Sequence, residues 1–387
     1  MKDINLSEAV KYIGVDDKTL DLFEGQYIIP NGVSYDSYVI LDEKIAVMDT
    51  ADKRAGEEWF ANLEKVLDGR NPDYLIVSHM EPDHAANIQN LVNKYPGIKV
   101  VGNAKTFVMI SQFFDVNLEE KKVVVKEGDT LELGSHTLKF IMAPMVHWPE
   151  VMVTYEESEK ILFSADGFGK FGALDTDEDW ACEARRYYFN IVGKYGAQVQ
   201  ALLKKASALD IKMICPLHGP MLKENLEYYI NKYNTWSSYS PEDEGVFIAY
   251  ASIYGNTAAA AGKLGEILEK AGAGKVVITD LAREDMAEAL EDAFRYDKLV
   301  VASSTYDAGI FPVMEEFLTH LKGKNYQKRT VGIMENGTWA PMSGKCMKGI
   351  LETMKDITIC EQTVSIKSTM NEKNIEEMEA LAKELLK

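Results

Sequence analysis

Cysteine is scarce in this sequence, and the few cysteines are far apart. They are Cys182, Cys215, Cys346 and Cys360, and no two of them are spaced as Cys-x-x-Cys. This spacing excludes a zinc-ribbon or rubredoxin-type site built from four thiolates. Scattered cysteines are typical of reduced thiols, so we expect a cytoplasmic protein.

Basic residues are outnumbered by acidic ones, and long apolar runs are absent from the sequence. Lysine and arginine number 42 against 61 aspartates and glutamates, a net charge of −19. Binding to nucleic acid or to an anionic membrane needs a basic surface, so neither is expected. No apolar run approaches the roughly 18 residues of a membrane helix, and the N-terminal residues resemble no signal peptide.

A polar segment over residues 237–245 divides the 387 residues into two regions. Before it, short apolar runs alternate with turns and a few helical patterns. After it, five apolar strands alternate regularly with amphipathic helices, which is typical of a parallel sheet covered on both faces. The sequence therefore predicts an α/β protein with one domain over residues 1–244 and a doubly wound, five-stranded domain over residues 245–387.

In the first region, side chains that bind metals follow several predicted strands. They are His79, Glu81, Asp83, His84, His147, Asp166 and His218. Taken singly, His147, Asp166 and His218 are each explained as a core, surface, capping or turn residue, and the alternative for residues 79–84 is a polar turn in which Asp83 caps a helix. Together they suffice for two metals, and a carboxylate such as Asp166 can bridge two ions. The absence of thiolates favours iron, zinc or manganese, which leaves hydrolysis at two zinc ions or redox chemistry at two irons open.

In the second region, three polar loops follow predicted strands, over residues 252–257, 303–309 and 335–344. The first offers hydroxyl and amide groups before a helix whose N-terminus attracts anions. No lysine follows it, so it is not a Walker A loop and suits a phosphate monoester that is not transferred. Tyr306 and Trp339 could pack on a flat ring system. An ordinary capped turn is the alternative for the first loop.

These patterns resemble known families. His-x-[Glu/Asp/His]-x-Asp-His over residues 79–84, with His147, Asp166 and His218 at later strand ends, is similar to the metallo-β-lactamase fold, and a glutamate at Glu81 resembles the flavodiiron proteins. The three polar loops resemble those of flavodoxins. The resemblance implies a metallo-β-lactamase-like αββα sandwich followed by a flavodoxin-like domain. It also implies the short class, without a fused rubredoxin or flavin-reductase domain.

The same resemblance implies cofactors and residue roles. One iron would be bound by His79, Glu81 and His147 and the other by Asp83, His84 and His218, with Asp166 as the bridge. The pocket wall would include Trp148, Phe168 and Tyr195, which with Asp166 form the expected catalytic set. FMN would be bound by Ser252, Ile253, Tyr254, Gly255, Asn256, Thr257, Ser304, Thr305, Tyr306, Asp307, Ala308, Gly309, Asn336, Gly337, Thr338 and Trp339.

The implied activity is reduction of O2 to water, of NO to N2O, or of both. The expected electron donor is rubredoxin or reduced coenzyme F420, and the expected assembly is a head-to-tail homodimer or a dimer of dimers. Two alternatives remain open at this point. One is a dizinc hydrolase with a flavodoxin-like appendage, and the other is an electron carrier or binding protein whose N-terminal metal site is structural.

Overall fold

The computed structural model describes residues 6–387. The chain folds as two units. The first runs to Tyr187 and resumes over Ala197–Tyr233, and the second contains Tyr188–Gly196 and Asn234–Lys387. The short segment Tyr188–Gly196 thus belongs to the second unit, although it precedes the last part of the first unit in the sequence. Within residues 6–387 no helix has the length and apolar composition needed to cross a bilayer.

The first unit contains short strands and the helices that connect them. Its strands are β1 (Val10–Tyr12), β2 (Val15–Asp17), β3 (Leu22–Phe23), β4 (Tyr27–Ile28), β5 (Val33–Tyr35), β6 (Tyr38–Ile40), β7 (Ala46–Met48), β8 (Tyr74–Ile76), β9 (Lys99–Gly102), β10 (Lys122–Val124), β11 (Thr130–Glu132), β12 (Thr137–Met142), β13 (Met152–Glu156), β14 (Ile161–Phe163) and β15 (Met213–Cys215). The helices up to residue 237 are α1 (Gly56–Leu67), α2 (Pro82–Ala85), α3 (Ile88–Lys94), α4 (Ala104–Phe113), α5 (Trp180–Tyr187), α6 (Gly196–Ala206) and α7 (Leu226–Ser237).

Two sheets pair these strands. A six-stranded sheet has the order β1-β6-β7-β8-β9-β10, and a five-stranded sheet has the order β11-β12-β13-β14-β15. In the first sheet β7, β8, β9 and β10 are parallel. In the second, β14 and β15 are parallel and the other neighbours antiparallel. Parallel neighbours bring the ends of several strands to one edge, where the metal-type side chains follow.

The core of the first unit lies between its two sheets. Alternate residues of β6, such as Tyr38 and Ile40, and alternate residues of β12, such as Leu138 and Phe140, belong to one buried cluster. This alternation is the expected consequence of a strand whose successive side chains point to opposite faces. The sandwich predicted for this region is confirmed.

The second unit is an open parallel sheet with helices. Its strands are β16 (Asp243–Ala251), β17 (Val276–Asp280), β18 (Tyr296–Tyr306), β19 (Gly309–Ile310), β20 (Arg329–Asn336) and β21 (Ile357–Ile366). Its helices are α8 (Asn256–Lys270), α9 (Met286–Arg295), α10 (Pro312–Gly323), α11 (Ser343–Leu351) and α12 (Glu372–Leu385). The sheet order is β17-β16-β18-β20-β21, and β19 adds to β18 in antiparallel fashion.

This strand order creates a switch point between β16 and β18, because the chain winds one way to β17 and the other way to β18 and beyond. Open α/β sheets bind ligands in the crevice outside the carboxyl ends of the strands at such a point. β16 starts at Asp243, inside the segment predicted to be a linker, because Asp243 already pairs with Tyr296 of β18. The five-stranded, flavodoxin-like sheet predicted from the sequence is confirmed.

Candidate metal centre and flavin site

The metal-type side chains of the first unit lie just beyond the ends of β8, β12, β14 and β15. The segment after β8 enters α2 at Pro82, a residue suited to the first position of a helix. This turn buries Asp83 and His84, which are 8% and 1% exposed. His218 and Asp166 are each 1% exposed. Polar groups buried this deeply need partners, so their arrangement has to be accounted for.

One group contains His79, Glu81, His147 and Asp166, whose candidate ligand atoms all lie within 4.8 Å of one another. Nε2 of His79 lies 3.2 Å from Oε2 of Glu81 and 3.2 Å from Oδ2 of Asp166. Nε2 of His147 lies 3.0 Å from the same Glu81 oxygen and 3.1 Å from the same Asp166 oxygen. Two imidazoles and two carboxylates therefore converge on one point.

A second group contains Asp83, His84 and His218. Nε2 of His84 and Nε2 of His218 are 3.0 Å apart. Oδ2 of Asp83 lies 3.3 Å from the first of these nitrogens and 3.2 Å from the second. All three side chains are buried, and their polar atoms face one another.

Asp166 belongs to the first group and also faces the second. Its Oδ2 faces the first group, while its Oδ1 lies 3.5 Å from Nε2 of His84 and 3.9 Å from Nε2 of His218. The two oxygens of one carboxylate thus point to different groups. A carboxylate can bind two ions through its two oxygens, and this orientation is the one such a bridge requires.

Several buried polar atoms at this site have no hydrogen-bond partner in the part of the chain that the structure describes. Both carboxylate oxygens of Asp83 and of Asp166 are among them. Leaving such a group unsatisfied costs about 1–3 kcal/mol, and more when it is charged. Two cations, one per group, would satisfy these oxygens and the facing imidazole nitrogens. The residues therefore fit a pair of ions that accept mixed imidazole and carboxylate ligands, such as iron, zinc or manganese.

The titration behaviour of the site agrees with this fit. Burial lowers the pKa of His147 and of His218, but the adjacent carboxylates outweigh burial and raise both to about 9. Burial raises the pKa of Asp166, but the neighbouring imidazoles outweigh it and hold that pKa well below its usual value. Protons on the rings thus balance the carboxylates when no cation does, and a metal has to displace them.

The residues predicted to line the metal pocket lie in different places. The Trp148 ring packs edge-on against His79, with ring centroids 5.1 Å apart. The Phe168 ring stacks on Tyr233 at 4.2 Å. Tyr195 lies in the 3₁₀ turn Gly193–Tyr195, within the segment that belongs to the second unit. Its predicted role rests on the resemblance.

Sequence reasoning missed aromatic residues that pack on the ligand rings. Phe23, at the end of β3, lies edge-on to His218 with centroids 5.4 Å apart, and Tyr187 lies 5.5 Å from the same ring. Phe23 directly precedes the turn signal Glu-Gly-Gln of a tight hairpin, but nothing in that signal indicates which residues the hairpin packs against. Ser34 was also missed, and its backbone carbonyl lies 2.7 Å from Nδ1 of His218.

The second unit has a pocket of about 290 Å³ at the carboxyl ends of its strands. It is lined by Ser252, Ile253, Tyr254, Asn256, Thr257, Ser304, Thr305, Asp307, Ala308, Asn336, Gly337, Thr338, Trp339, Ala340 and Ser368. These include every residue predicted to bind FMN except Gly255, Tyr306 and Gly309. Tyr306 and Gly309 line a neighbouring depression instead.

The pocket offers neutral donors rather than charged ones, since none of its lining residues is cationic. Gly255 caps α8 with a φ of 90° and supplies no side-chain acceptor, so the first N–H groups of α8 remain available to an anion. The hydroxyls of Thr257 and Ser304 lie 2.9 Å apart. A helix N-terminus with hydroxyl groups beside it fits a phosphate monoester, and the aromatic rim fits a flat ring.

Ser368 is the main addition to the predicted pocket. It follows β21, and its backbone N–H donates to Oδ1 of Asn336 while its carbonyl accepts from the amide nitrogen of the same residue. Its hydroxyl lies 2.9 Å from that of Thr338. The loop after β21 therefore reaches the pocket because it is hydrogen-bonded to the end of β20 and to the loop that follows it.

Comparison with known proteins agrees with this two-part description. Residues 33–219 match the family described as ODP family beta lactamase, and residues 247–362 match the flavodoxin domain family. The chain is thus of the class that joins a lactamase-like unit with metal-type ligands to a flavodoxin-like unit.

Relatives and solved structures narrow this class. The anaerobic nitric oxide reductase flavorubredoxin of Aliivibrio fischeri is 30% identical over 87% of this chain and 70% of its own length. The structure of rubredoxin oxygen:oxidoreductase from Desulfovibrio gigas superimposes with a TM-score of 0.92, at 25% identity over 98% of this chain and 97% of that one. A flavo di-iron protein mutant from Thermotoga maritima gives a TM-score of 0.88, at 26% identity over 98% and 96%. The chain belongs to the flavodiiron protein family.

Proposed function

We propose that this protein is a flavodiiron oxidoreductase that binds two iron ions and FMN and reduces O2 to water, NO to N2O, or both. The observation that carries the proposal is the position of Asp166 between two buried groups of ligand-type side chains. The activities named for the relatives, nitric oxide reductase and rubredoxin oxygen:oxidoreductase, support the same reaction class.

In this proposal His79, Glu81 and His147 would hold one iron, and Asp166 would be shared between this iron and a second. The second group consists of Asp83, His84 and His218. The contacts within each group, all between 3.0 and 3.3 Å, support this division. Glu81 reaches both histidines of its group, which favours a ligand role for this carboxylate over a spectator role.

The flavin-binding residues proposed are those of the pocket at the β16–β18 switch point. The N-terminus of α8 and the Thr257 and Ser304 hydroxyls would hold the phosphate, because they combine open N–H groups with neutral donors. Tyr254 and Trp339 on the rim would flank the ring. When bound, two ferrous ions and a reduced flavin supply four electrons for one O2, or two electrons for each pair of NO molecules.

The protein's own part in this chemistry is to hold the metal ions and to shield them from water. The buried ligand side chains would fix the position of both cations. Trp148 packs against the ring of His79, and Phe23 and Tyr187 pack against the ring of His218, so these aromatic side chains would keep water from the ligands. Shielding matters because reduction of O2 or NO must finish before a partly reduced product escapes.

We also propose a head-to-tail homodimer, or a dimer of two such dimers, with rubredoxin or reduced coenzyme F420 as electron donor in the cytoplasm. Tyr254 and Trp339 are 93% and 89% exposed within one chain, which is unusual for large aromatic side chains. A partner subunit covering the flavin pocket would bury them. The name of the Desulfovibrio gigas structure supports a rubredoxin donor.

Metal and flavin analysis followed by gas consumption tests the proposal. Protein purified without oxygen and with iron supplied should contain about two irons and one FMN per chain, and should consume O2 or NO when reduced rubredoxin is added. The same protein loaded with zinc is the matched control and should consume neither gas. Zinc that supports hydrolysis and cannot be replaced by iron would favour the dizinc hydrolase instead.

A further inference from the structure

Glu150 is a fully buried carboxylate that contacts the proposed metal ligand His79 through the ring nitrogen that faces away from the other ligands. It lies between β12 and β13, three residues after His147, and it is 0% exposed. Its Oε1 accepts a hydrogen bond from the backbone N–H of Met80 at 2.8 Å and lies 2.9 Å from Nδ1 of His79. Among residues 6–387, no other carboxylate oxygen lies within hydrogen-bond distance of the Nδ1 atom of a ligand histidine.

These contacts define the protonation pattern of the His79 ring. A carboxylate oxygen can only accept, so the Nδ1 of His79 donates its proton to Glu150. The lone pair of Nε2 then faces Glu81 and Asp166, where the first metal would lie. The partner of one ring nitrogen thus selects the nitrogen that is free to bind metal.

The second group has no equivalent contact. The Nδ1 of His218 faces the neutral backbone carbonyl of Ser34 at 2.7 Å. The Nδ1 of His84 has no hydrogen-bond partner within residues 6–387. An anionic acceptor makes an imidazole a stronger ligand than a neutral carbonyl does, because it stabilises the positive charge that the ring acquires on binding a cation.

We propose that Glu150 is a positioning residue that, through His79, makes the first metal position the tighter of the two. This inference rests on the di-metal site proposed above. The backbone around Glu150 is held independently of its carboxylate, because the side-chain amide of Asn103 donates to the Glu150 carbonyl. A change confined to the carboxylate should therefore act on His79 and leave the loop in place.

The variant Glu150→Gln removes the charge and keeps an oxygen that can accept from Met80 and His79. Its matched control is Glu156→Gln, which alters another 0% exposed carboxylate of the same unit. Glu156 accepts from the backbone N–H groups of Ser158 and Glu159 at the end of β13. Both substitutions remove one buried charge, but only the first faces a ligand.

The measurement is cobalt binding to metal-free protein in competition with a chelator, which needs no turnover. Wild-type protein should bind two equivalents. In Glu150→Gln one equivalent should weaken by roughly ten- to a hundredfold, the usual effect of losing such an outer partner. In Glu156→Gln both equivalents should stay within about twofold of wild type. Circular dichroism before and after the titration checks that each variant is folded.

The outcomes separate the two proposals. Wild-type protein that binds fewer than two cobalt ions would overturn the di-metal site itself. Two ions in wild type with unchanged affinities in Glu150→Gln would overturn only the role of Glu150, as would equal weakening in both variants. If Glu150→Gln does not fold, Glu150→Asp keeps the charge one methylene further away. Its affinity for one equivalent should then also fall, and an unchanged value would refute the role.

Discussion

Asp166 is the residue whose loss should damage both metal positions at once. Its Oδ2 lies 3.2 Å from Nε2 of His79 and its Oδ1 lies 3.5 Å from Nε2 of His84. Asp166→Asn keeps the shape of the side chain and removes the charge. Taking one partner out of a buried charged set typically costs about 3–5 kcal/mol. At about 1.4 kcal/mol per factor of ten, metal affinity should fall by roughly two to three and a half orders of magnitude.

The assay is iron content after desalting against a weak chelator, measured together with FMN content and O2 or NO consumption. Asp166→Asn should retain less than one iron per chain, lose nearly all turnover and keep its FMN, because the flavin pocket lies in the other unit. The control is Asp73→Asn, since Asp73 accepts from the backbone N–H of Ile45 at 2.7 Å and is absent from both ligand groups. A variant of Asp166 that keeps two irons at wild-type affinity would refute the bridge.

Three further changes test other parts of the molecule. Thr257→Val removes a hydroxyl beside the proposed phosphate site, so FMN affinity, followed by flavin fluorescence, should fall roughly ten- to a hundredfold with iron content unchanged; equal affinity would contradict the assignment. Burial lowers the pKa of His136, but hydrogen bonds with Asp42 and Glu159 outweigh it and raise that pKa, so this contact stabilises the fold at pH 5.5 and is lost as the pH rises. His136→Gln should therefore lower the urea midpoint more at pH 5.5 than at pH 9, and an equal loss would contradict this. Arg329, 2% exposed, donates only to backbone carbonyls, so Arg329→Leu should lower the free energy of unfolding by roughly 3 kcal/mol or more in denaturant titrations, and an unchanged midpoint would refute this.

The parts that sequence predicted best are those that strand ends determine. His79, Asp166 and His218 each follow a buried apolar run, and parallel neighbours bring such ends to the same edge of a sheet. The loops that begin at Ser252 and Ser303 were found for the same reason. In both units local pattern and topology agree, so a residue's place along its strand predicts its place at the site.

Contacts between distant loops could not be predicted in this way. Glu150 reaches a histidine 71 positions earlier in the chain, and its own segment carries no strand or helix period. Ser368 joins the flavin pocket through hydrogen bonds between its backbone and the side-chain amide of Asn336, and these depend on two loops that end side by side 32 positions apart in the chain. The segment Tyr188–Gly196 belongs to the second unit although 37 residues of the first unit, Ala197–Tyr233, follow it. No change in amino-acid composition marks this segment as part of the second unit.

The two proposed metal positions are unequal in charge. The first group has Glu81 beside its histidines and Glu150 behind one of them, while the second has Asp83 alone beside its pair. Asp166 is shared, so it cannot create the difference. Because carboxylates favour a more highly charged cation, the first position should fill first and should hold an oxidised iron more strongly than the second. Removal of the Glu150 charge should then reduce the difference in metal affinity between the two positions. Loss of Asp166 should instead lower the affinity of both positions and leave the first the tighter of the two.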